Sequence, residues 1–352
     1  MPRMSIYAHP HLRQSESYFG YAYTFNEISR YLRTATINRQ PLQVDLNSPK
    51  SKIQLHYGTP PGSFYSHQYK IQMTQWESSL VPPSWVEIAR GYDEYWTANE
   101  FGKQAFIDAG VDERKMHVFE HGIDRSVWTP KKRVRGDVLR FLHIDSGSPR
   151  KRADVALSAF KAAFGNNLDY EITFKYSHHP QSDADWFDPS VLSSRGEWET
   201  GNVRRIYENL TLEHLVSLYH FHDVLIYPSE GEGFGLIPMQ ALATGMPVIS
   251  TSRWCSYEQY LCGNVIESTM GQSPIQETYE RFGDVVLPSL DSTIDLVRFV
   301  ADNFDAQSNI FMNQVGWITE KYDWIRLCQG AVTSLHSRLG DEMFLPYVGY
   351  MG

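Results

Sequence analysis

The stretch that decides the fold of this chain reads Tyr227-Pro-Ser-Glu-Gly-Glu-Gly-Phe-Gly-Leu-Ile-Pro-Met-Gln-Ala-Leu-Ala-Thr-Gly-Met-Pro-Val-Ile-Ser250. A short apolar run over 222–227, closed by a proline, predicts a buried strand. Alternate glycines over 231–235 predict a tight turn, because backbone without Cβ atoms can approach a ligand closely. A helix is expected over 235–244, where a glycine follows as the usual helix end. A second strand is expected over 247–251.

A glycine turn that opens a helix after a buried strand predicts an anion site. The N–H groups of the first helical turn and the helix dipole both face the ligand. Phe234 and Gly235 carry N–H groups in this turn, and Glu232 lies at its mouth. Bound phosphates would repel a carboxylate, so we expect Glu232 to face neutral hydroxyls. The combination predicts a ligand in which a sugar is linked to phosphate.

The same stretch resembles the Pro-Ser-x-x-Glu-Gly-Phe-Gly-Leu segment of glycosyltransferase family 4, retaining enzymes with the GT-B fold. Glu232 stands at the first glutamate of the family's Glu-x7-Glu pattern, and Gln240 replaces the second. The resemblance implies that Glu232 is catalytic and orients the donor sugar, while Gln240 meets the ribose hydroxyls. It also implies donor contacts from four turn residues: Gly233, Phe234, Gly235 and Leu236. An ordinary Rossmann-like turn that packs a helix on a sheet is the alternative interpretation.

Earlier in the chain, a strand is predicted over 138–143, and a basic segment follows it. Arg150 and Lys151 match the Arg-Lys-Gly segment of that family, and Arg152 replaces its glycine. The resemblance implies that Arg150 and Lys151 hold the donor diphosphate and act in catalysis; surface charge at a helix N-terminus is the alternative. Cations are disfavoured at that end of a helix, so two together favour a bound anion. Asp145 stands near the place where many relatives carry another basic residue.

In the first half of the chain, the resemblance places Gly20 in a glycine loop against the donor phosphates. A strand predicted over 69–74 delivers Trp76 and Glu77 to its carboxyl end, where open α/β sheets bind ligands. Trp76 and Glu77 are therefore acceptor-side candidates, together with Tyr18. Contact with the donor sugar is another interpretation of Glu77, and capping of the helix that follows is the alternative to a ligand contact.

The resemblance implies an α/β, GT-B architecture: two Rossmann-like domains face each other across a cleft, and a C-terminal helix crosses back onto the first domain. The expected parts are an acceptor-side domain (1–125), a linker (126–137), a donor domain (138–323) and a C-terminal helical segment (324–352). His121 lies in a segment like the family's domain-exit signature, and we expect it to shape the hinge. The basic run in the linker is expected to be solvated. Helical structure is expected from about 309 to 339.

The composition describes an ordinary globular chain. Its 352 residues suggest two domains, and 42% hydrophobic with 21% charged residues is typical of soluble proteins. No run approaches the roughly 18 apolar residues of a membrane helix, and no apolar signal core follows the first residues. Three cysteines without zinc spacing predict a reducing cytoplasm. An Asp-x-Asp at 183–185 lies in a predicted loop, where a solvated turn is favoured over a metal site.

The formal net charge of −9 is uneven, with +4 on residues 1–80 and −13 on the remainder. An anionic partner, DNA or a lipid headgroup, is one expectation for the basic part, and a solvated surface is the other.

We expect a retaining, metal-independent glycosyltransferase without a cofactor, using a UDP- or GDP-linked sugar as co-substrate and a saccharide or lipid-linked acceptor. Transfer to hydroxymethylated bases in DNA and a non-catalytic nucleotide-sugar-binding protein are the alternatives.

Overall fold

A computed structural model describes residues 1–8, 20–176, 198–207, 210–273 and 283–347. These residues form an α/β structure that divides into two compact units. The first unit comprises Met1–Gly122 and Lys321–Gly352, and the second comprises Ile123–Glu320. Each unit is built around its own largely parallel sheet.

The strands are short, and most belong to one of the two large sheets. In chain order they are β1 (Arg3–Ala8), β2 (Thr36–Ile37), β3 (Gln40–Pro41), β4 (Gln43–Leu46), β5 (Ile53–Tyr57), β6 (Tyr69–Met73), β7 (Glu94–Thr97), β8 (Met116–Val118), β9 (Leu139–Asp145), β10 (Tyr170–Tyr176), β11 (Trp198–Thr200), β12 (Val203–Ile206), β13 (Val224–Tyr227), β14 (Val248–Thr251), β15 (Val265–Ile266), β16 (Ser268–Gly271) and β17 (Val285–Pro288).

The helices alternate with the strands until the C-terminal third, where they follow one another. They are α1 (Gly20–Leu32), α2 (Pro83–Arg90), α3 (Glu100–Asp108), α4 (Ala153–Phe164), α5 (Leu212–Phe221), α6 (Leu236–Ala243), α7 (Leu290–Asp302), α8 (Phe304–Lys321), α9 (Trp324–Leu339) and α10 (Asp341–Phe344). Among the described residues, no helix combines the length and apolar character that crossing a membrane requires.

The first unit contains a six-stranded sheet in the order β4-β1-β5-β6-β7-β8, and all its neighbouring strands run parallel. Every residue of β5 is buried, as expected for a parallel sheet covered on both faces. Phe25, Ile28 and Leu32 of α1 share a core cluster with residues of these strands. Their spacing of three and four residues puts them on one helical face.

The C-terminal region is helical over 309–339, as expected, and contains two helices. α8 ends at Lys321 and α9 begins at Trp324. Asp323 starts the new helix, because its carboxylate accepts a hydrogen bond from Arg326 N at 3.0 Å and caps the first turn. Four side chains of α9 enter the core of the first unit: Trp324, Cys328, Val332 and Leu335.

A buried carboxylate on β7 fixes the far end of α9. Glu94 accepts two hydrogen bonds from the guanidinium of Arg338, each 2.9 Å long, and one from Trp96 Nε1 at 2.7 Å. A planar guanidinium matches a carboxylate in this two-point arrangement. The expected return of the C-terminal helix to the first domain therefore rests on apolar packing and on one ion pair.

The second unit contains a seven-stranded sheet in the order β11-β12-β10-β9-β13-β14-β15. Its neighbouring strands run parallel, except that β11 and β12 are antiparallel. After β9 the chain adds β10 and β12 on one side, and after β13 it adds β14 and β15 on the other. β9 and β13 therefore flank a topological switch point, where open α/β sheets form a ligand crevice at their carboxyl ends.

The basic run 131–135 is exposed at Lys131 and Lys132, as expected from the sequence, but not at Arg133. Arg133 is 3% exposed. Its guanidinium donates to the carbonyl oxygens of Tyr219 at 2.8 Å, His222 at 2.9 Å and Thr244 at 2.9 Å. These carbonyls lie at the carboxyl ends of α5 and α6, which favour a cation. Burial lowers the pKa of Arg133 to about 10, so it stays charged at neutral pH and holds this segment within the second unit.

Candidate functional site

The glycine turn lies at the carboxyl end of β13 and leads into α6. Gly235 has a φ of +89°, and a Cβ atom there would lie 2.3 Å from Tyr257 Cε1. The left-handed backbone and the lack of space both require glycine. The amide of Glu232 donates to the carbonyl of Trp254 at 2.8 Å. The loop after β14 thus fixes the backbone from which the Glu232 side chain projects.

The carboxylate of Glu232 meets groups from two distant parts of the chain. Its Oε1 accepts hydrogen bonds from Lys151 Nζ and from Ser229 Oγ, the latter at 2.6 Å. Arg150 Nη1 lies 3.5 Å from the same oxygen. Lys151 Nζ also lies 5.3 Å from the centre of the Tyr227 ring, within cation–π range. The fold therefore assembles the residues that the sequence predicts at the donor phosphates and sugar.

Electrostatics keep Glu232 ionised in this buried cluster. Burial by itself raises the pKa of a carboxyl group, but the charges of Lys151 and Arg150 outweigh burial and hold the pKa of Glu232 below its ordinary value. Two cations face one carboxylate, so the cluster has an excess of positive charge near neutral pH. An excess of this sign attracts an anionic ligand.

Arg150 and Lys151 lie in a 3-10 turn, Pro149–Lys151, directly after β9. They are 9% and 7% exposed, so the interpretation as surface charge at a helix N-terminus is wrong. Arg150 Nη1 donates to the carbonyl of Gly231, and the amide of Glu230 donates to the carbonyl of Arg150 at 2.9 Å. Backbone and side-chain contacts thus join the two turns.

Asp145 ends β9, near the place where many relatives carry a basic residue. It is buried, its Oδ2 lies 3.0 Å from His143 Nε2, and its Oδ1 accepts a hydrogen bond from the amide of Gly147. The carboxylate therefore braces the loop after β9. Lys175, on the neighbouring strand β10, is also buried, and this burial lowers the pKa of Lys175 to about 8 although Asp145 acts in the opposite direction. A positive charge near Asp145 is therefore supplied by Lys175 on β10.

Gln240 lies on α6 and is 6% exposed. Its Oε1 accepts a hydrogen bond from the hydroxyl of Tyr219 at 3.2 Å. The hydroxyl orients the amide, whose nitrogen is a hydrogen-bond donor. Gly233 and Phe234 are buried within the turn, and Leu236 is half-buried.

In the first unit, Gly20 is the exposed first residue of α1, and Tyr18 lies outside the described residues. Trp76 is 4% exposed, its indole N–H donates to the carbonyl of Leu80 at 2.8 Å, and its ring centre lies 5.1 Å from that of Trp85. Trp76 therefore supports the loop after β6 from within. Its contact with an acceptor stays a prediction, as does that of Gly20 with the donor.

Glu77 does not cap the helix that follows it. The N-cap residue of α2 is Pro82, which makes no side-chain capping hydrogen bond. The capping interpretation is wrong, and a contact of Glu77 with a ligand stays a prediction.

His121 is buried, and burial lowers the pKa of His121 to about 3, so this imidazole is neutral at physiological pH.

Within the parts of the chain that the structure describes, no group of three or more His, Cys, Asp or Glu is arranged to hold a metal ion. The Asp-x-Asp at 183–185 lies outside those residues.

Sequence reasoning did not single out Ser229. Its hydroxyl donates to Glu232 Oε1 and lies 3.0 Å from the carbonyl oxygen of Gly231. Ser229 thus orients the carboxylate within the turn. The signal that could have found it is the Pro-Ser pair of the quoted stretch, which the resemblance includes without assigning a role.

Comparison with known proteins gives one family match, over residues 197–269, to the family described as Glycosyl transferases group 1. This range contains the glycine turn, α6 and β14. The chain is 21% identical over 257 residues to Uncharacterized protein 356 of Sulfolobus islandicus rod-shaped virus 1, covering 71% of this chain and 69% of that protein. It is 51% identical over 39 residues to the D-inositol 3-phosphate glycosyltransferase of Corynebacterium urealyticum, covering 11% of this chain and 9% of that protein.

Solved structures share the fold over nearly the whole chain. A glycosyltransferase from Rickettsia africae has a TM-score of 0.66 at 12% identity, covering 96% of this chain and 98% of that one. HepE of Anabaena, solved with UDP and glucose, has a TM-score of 0.64 at 12% identity, covering 96% and 100%. Sucrose-phosphate synthase of Thermosynechococcus elongatus has a TM-score of 0.66 at 11% identity, covering 96% and 99%. The predicted GT-B class, with two Rossmann-like domains, is confirmed.

Proposed function

We propose that this protein is a retaining glycosyltransferase, which moves a sugar from a nucleotide diphosphate to an acceptor hydroxyl. The observation that carries the proposal is the contact of Lys151 and Arg150 with Glu232 at a glycine turn that opens a helix. The match of residues 197–269 to Glycosyl transferases group 1 supports it, because that range contains the turn.

Arg150 and Lys151 supply the charge that the reaction needs. When the bond from the sugar C1 to the diphosphate oxygen breaks, negative charge develops on the leaving nucleotide. Positively charged donors that are already in place stabilise such charge most strongly where water is excluded. Both side chains are buried and held by the glycine turn, so they would lose little freedom when the donor binds.

Glu232 changes partner in this scheme. In the structure its carboxylate balances Lys151 and Arg150. A bound diphosphate takes over that role, and the carboxylate becomes available to the sugar. An ionised carboxylate only accepts hydrogen bonds, so it orients the sugar through the sugar's hydroxyl groups. Ser229 donates to Glu232 Oε1, the oxygen that also accepts from Lys151. This hydrogen bond keeps the carboxylate oriented while Lys151 turns to the diphosphate.

Gln240 would meet the ribose hydroxyls. The hydroxyl of Tyr219 already donates to its Oε1, which leaves the amide nitrogen to donate to a ribose oxygen. A neutral amide makes a weaker contact than the charged carboxylate of the resembled family. We therefore expect donor binding with a reduced ribose contribution.

The chemical step needs no covalent enzyme nucleophile. As the resemblance implies, the acceptor oxygen attacks C1 on the face from which the diphosphate departs, through an ion-pair-like transition state. The new C1–oxygen bond replaces the old one, and the acceptor proton passes to a leaving phosphate oxygen. Arg150 and Lys151 provide the cations at the leaving group, so we propose that transfer proceeds without added divalent metal.

The acceptor we propose is a saccharide or a lipid-linked saccharide. The net charge of +4 on residues 1–80 is not a property of the whole first unit. Over Met1–Gly122 and Lys321–Gly352 together, fifteen Lys and Arg stand against fifteen Asp and Glu. Two of the basic residues in the excess also have acidic neighbours: Arg3 lies 3.7 Å from Asp45, and Arg30 lies 3.8 Å from Glu27. This balance disfavours DNA, whose binding rests on many phosphate contacts.

The test is a panel of UDP- and GDP-linked sugars, with UDP sugars first because HepE was solved with UDP. A ligand at 100 times its dissociation constant adds about 2.7 kcal/mol of stability. Hydrolysis or transfer of the bound donor, followed by NMR of the product anomer, then reports activity and stereochemistry. Binding without turnover over a panel of acceptors would favour the non-catalytic alternative. Activity that chelator removes and magnesium or manganese restores would contradict metal independence.

A further inference from the structure

Arg152, the residue after Arg150 and Lys151, is joined to a second buried carboxylate. Its Nη1 donates to Glu230 Oε1 at 3.1 Å, and Glu230 is 0% exposed. On its other side Arg152 holds the exposed carboxylate of Asp154, through Nε at 2.9 Å and Nη2 at 2.8 Å. Neither Arg152 nor Glu230 has a role in the donor site described above.

The backbone at Arg152 indicates that its side chain has a use. Its φ of 53° and ψ of 48° are left-handed, a conformation that glycine adopts without penalty and arginine does not. Glycine stands at this position in the Arg-Lys-Gly segment that the chain resembles. An arginine here is unfavourable for the backbone, and the ion pair with Glu230 is the compensating contact.

The contacts between the two turns form a continuous series. The carbonyl of Arg150 accepts from the amide of Glu230, and the guanidinium of Arg150 donates to the carbonyl of Gly231. Lys151 binds Glu232, and Arg152 binds Glu230. Donor binding would redirect the Lys151 contact. The Arg152–Glu230 pair involves no group assigned to the donor, so it can persist throughout.

We propose that Arg152 and Glu230 are positioning residues: their ion pair holds the turn 149–152 against the turn 229–235 while Lys151 leaves Glu232 for the diphosphate. The backbone of Glu230 is itself fixed, because its carbonyl accepts from the amide of Val286 on β17 at 2.8 Å. The pair therefore ties the cation-bearing turn to a fixed point of the second unit. The proposal rests on the proposed function, since it assumes a diphosphate at Lys151.

Variants of three residues test the pair in the full-length protein. Glu230→Gln keeps the shape of the buried side chain and removes its charge. Arg152→Gly removes the cation and suits the left-handed backbone, so it answers the question if the first variant does not fold. Asp154→Asn is the matched control, because it removes the exposed partner of the same arginine. Amide hydrogen exchange over 148–153 and 228–236 reports how firmly the turns are held, and calorimetry with UDP and with uridine reports the donor site.

We expect faster exchange in both segments for Glu230→Gln and Arg152→Gly, and a loss of UDP affinity of about tenfold or more, because small displacements of positioned groups are costly. The affinity for uridine should stay within twofold of wild type (about 0.4 kcal/mol). Asp154→Asn should resemble wild type, and Arg152→Lys should recover part of the loss of UDP affinity.

Unchanged exchange overturns the proposal. Faster exchange with unchanged UDP affinity also overturns it, since the pair would then be structural only. A wild-type protein that binds no nucleoside diphosphate defeats the proposed function and the donor role together, and exchange still shows separately whether the pair holds the turns.

Discussion

Lys151 Nζ donates to Glu232 Oε1 across 81 positions of sequence, and both side chains are buried. Replacing Glu232 by Gln removes the charge that balances Lys151 and Arg150. Because a buried ion without its partner is strongly unfavourable, we expect the free energy of unfolding to fall by about 3 kcal/mol while the protein stays folded. Transfer should be lost. The stabilisation that UDP adds should increase, because the diphosphate then supplies the missing negative charge.

Urea unfolding with and without UDP measures the loss of stability in Glu232→Gln and the larger stabilisation by UDP. A transfer assay measures the loss of activity. Glu213→Gln is the matched control, because Glu213 is exposed on α5. Transfer by Glu232→Gln within a few-fold of wild type would contradict the role of Glu232. A smaller UDP stabilisation in the variant would contradict the exchange of partners.

Lys151→Ala tests which part of the ligand this cation holds. We expect affinity for a nucleoside diphosphate to fall by about 2 kcal/mol, the size of a charge-assisted hydrogen bond, and affinity for the nucleoside to stay the same. Calorimetry with UDP and uridine makes the comparison, with Lys132→Ala as control because Lys132 is exposed in the same unit. Equal losses for both ligands would show that Lys151 does not bind phosphate.

Gln240→Glu restores the residue that the resembled family carries. The hydroxyl of Tyr219 can donate to a carboxylate as well as to the present amide, so we expect a folded variant. A carboxylate accepts strong hydrogen bonds from a diol, so donor affinity should be unchanged or about 1 kcal/mol tighter. Comparison of UDP with deoxy-UDP locates the gain at the ribose. A folded variant that binds no donor would mean that Gln240 has another role.

Local sequence patterns predict the strands and helices of the second unit around its candidate site. The strand, glycine turn and helix around Glu232 follow from apolar runs and glycines within one short stretch. Arg150 and Lys151 were found through a resemblance, and the fold brings them to that turn. Their burial could not be predicted, because it depends on a partner about eighty positions away. Ser229 was missed for a different reason, since a serine in a turn is ordinary until its hydroxyl is found to donate to a buried carboxylate.

Long-range polar contacts account for the errors. The run around Arg133 resembles a solvated segment because its partners are backbone carbonyls of two later helices, which carry no sequence signal. The break between α8 and α9 depends on a single capping aspartate, Asp323, in an otherwise continuous helical pattern. The capping role, one of two interpretations of Glu77, failed because the N-cap position of α2 is occupied by Pro82.

Arg133→Met tests the contribution of the buried guanidinium to stability. Methionine keeps much of the side chain's length, but the carbonyls of Tyr219, His222 and Thr244 lose a charged donor. Each such hydrogen bond contributes about 1.5 kcal/mol or more, so we expect the free energy of unfolding to fall by about 3 kcal/mol or more. Lys132→Met, one position earlier and exposed, should change it by less than about 0.5 kcal/mol. Equal effects in urea unfolding would show that the contacts of Arg133 do not stabilise the second unit.

Lys175 gives a prediction about alkaline pH. Burial lowers the pKa of Lys175 to about 8 in the folded protein, whereas an unfolded chain keeps the ordinary value near 10.4. Between these values the unfolded chain binds the extra proton, so stability conferred by this site rises with pH. Lys175→Met removes the titration, and groups common to both proteins cancel in the comparison. The free energy of unfolding of wild type, relative to Lys175→Met, should therefore rise by roughly 3 kcal/mol from pH 7 to pH 10.5, at about 1.4 kcal/mol for each unit of pKa difference. Urea unfolding at one-unit intervals measures the trend, and a difference that is flat or falls with pH would show that Lys175 keeps its proton through this range in spite of its burial.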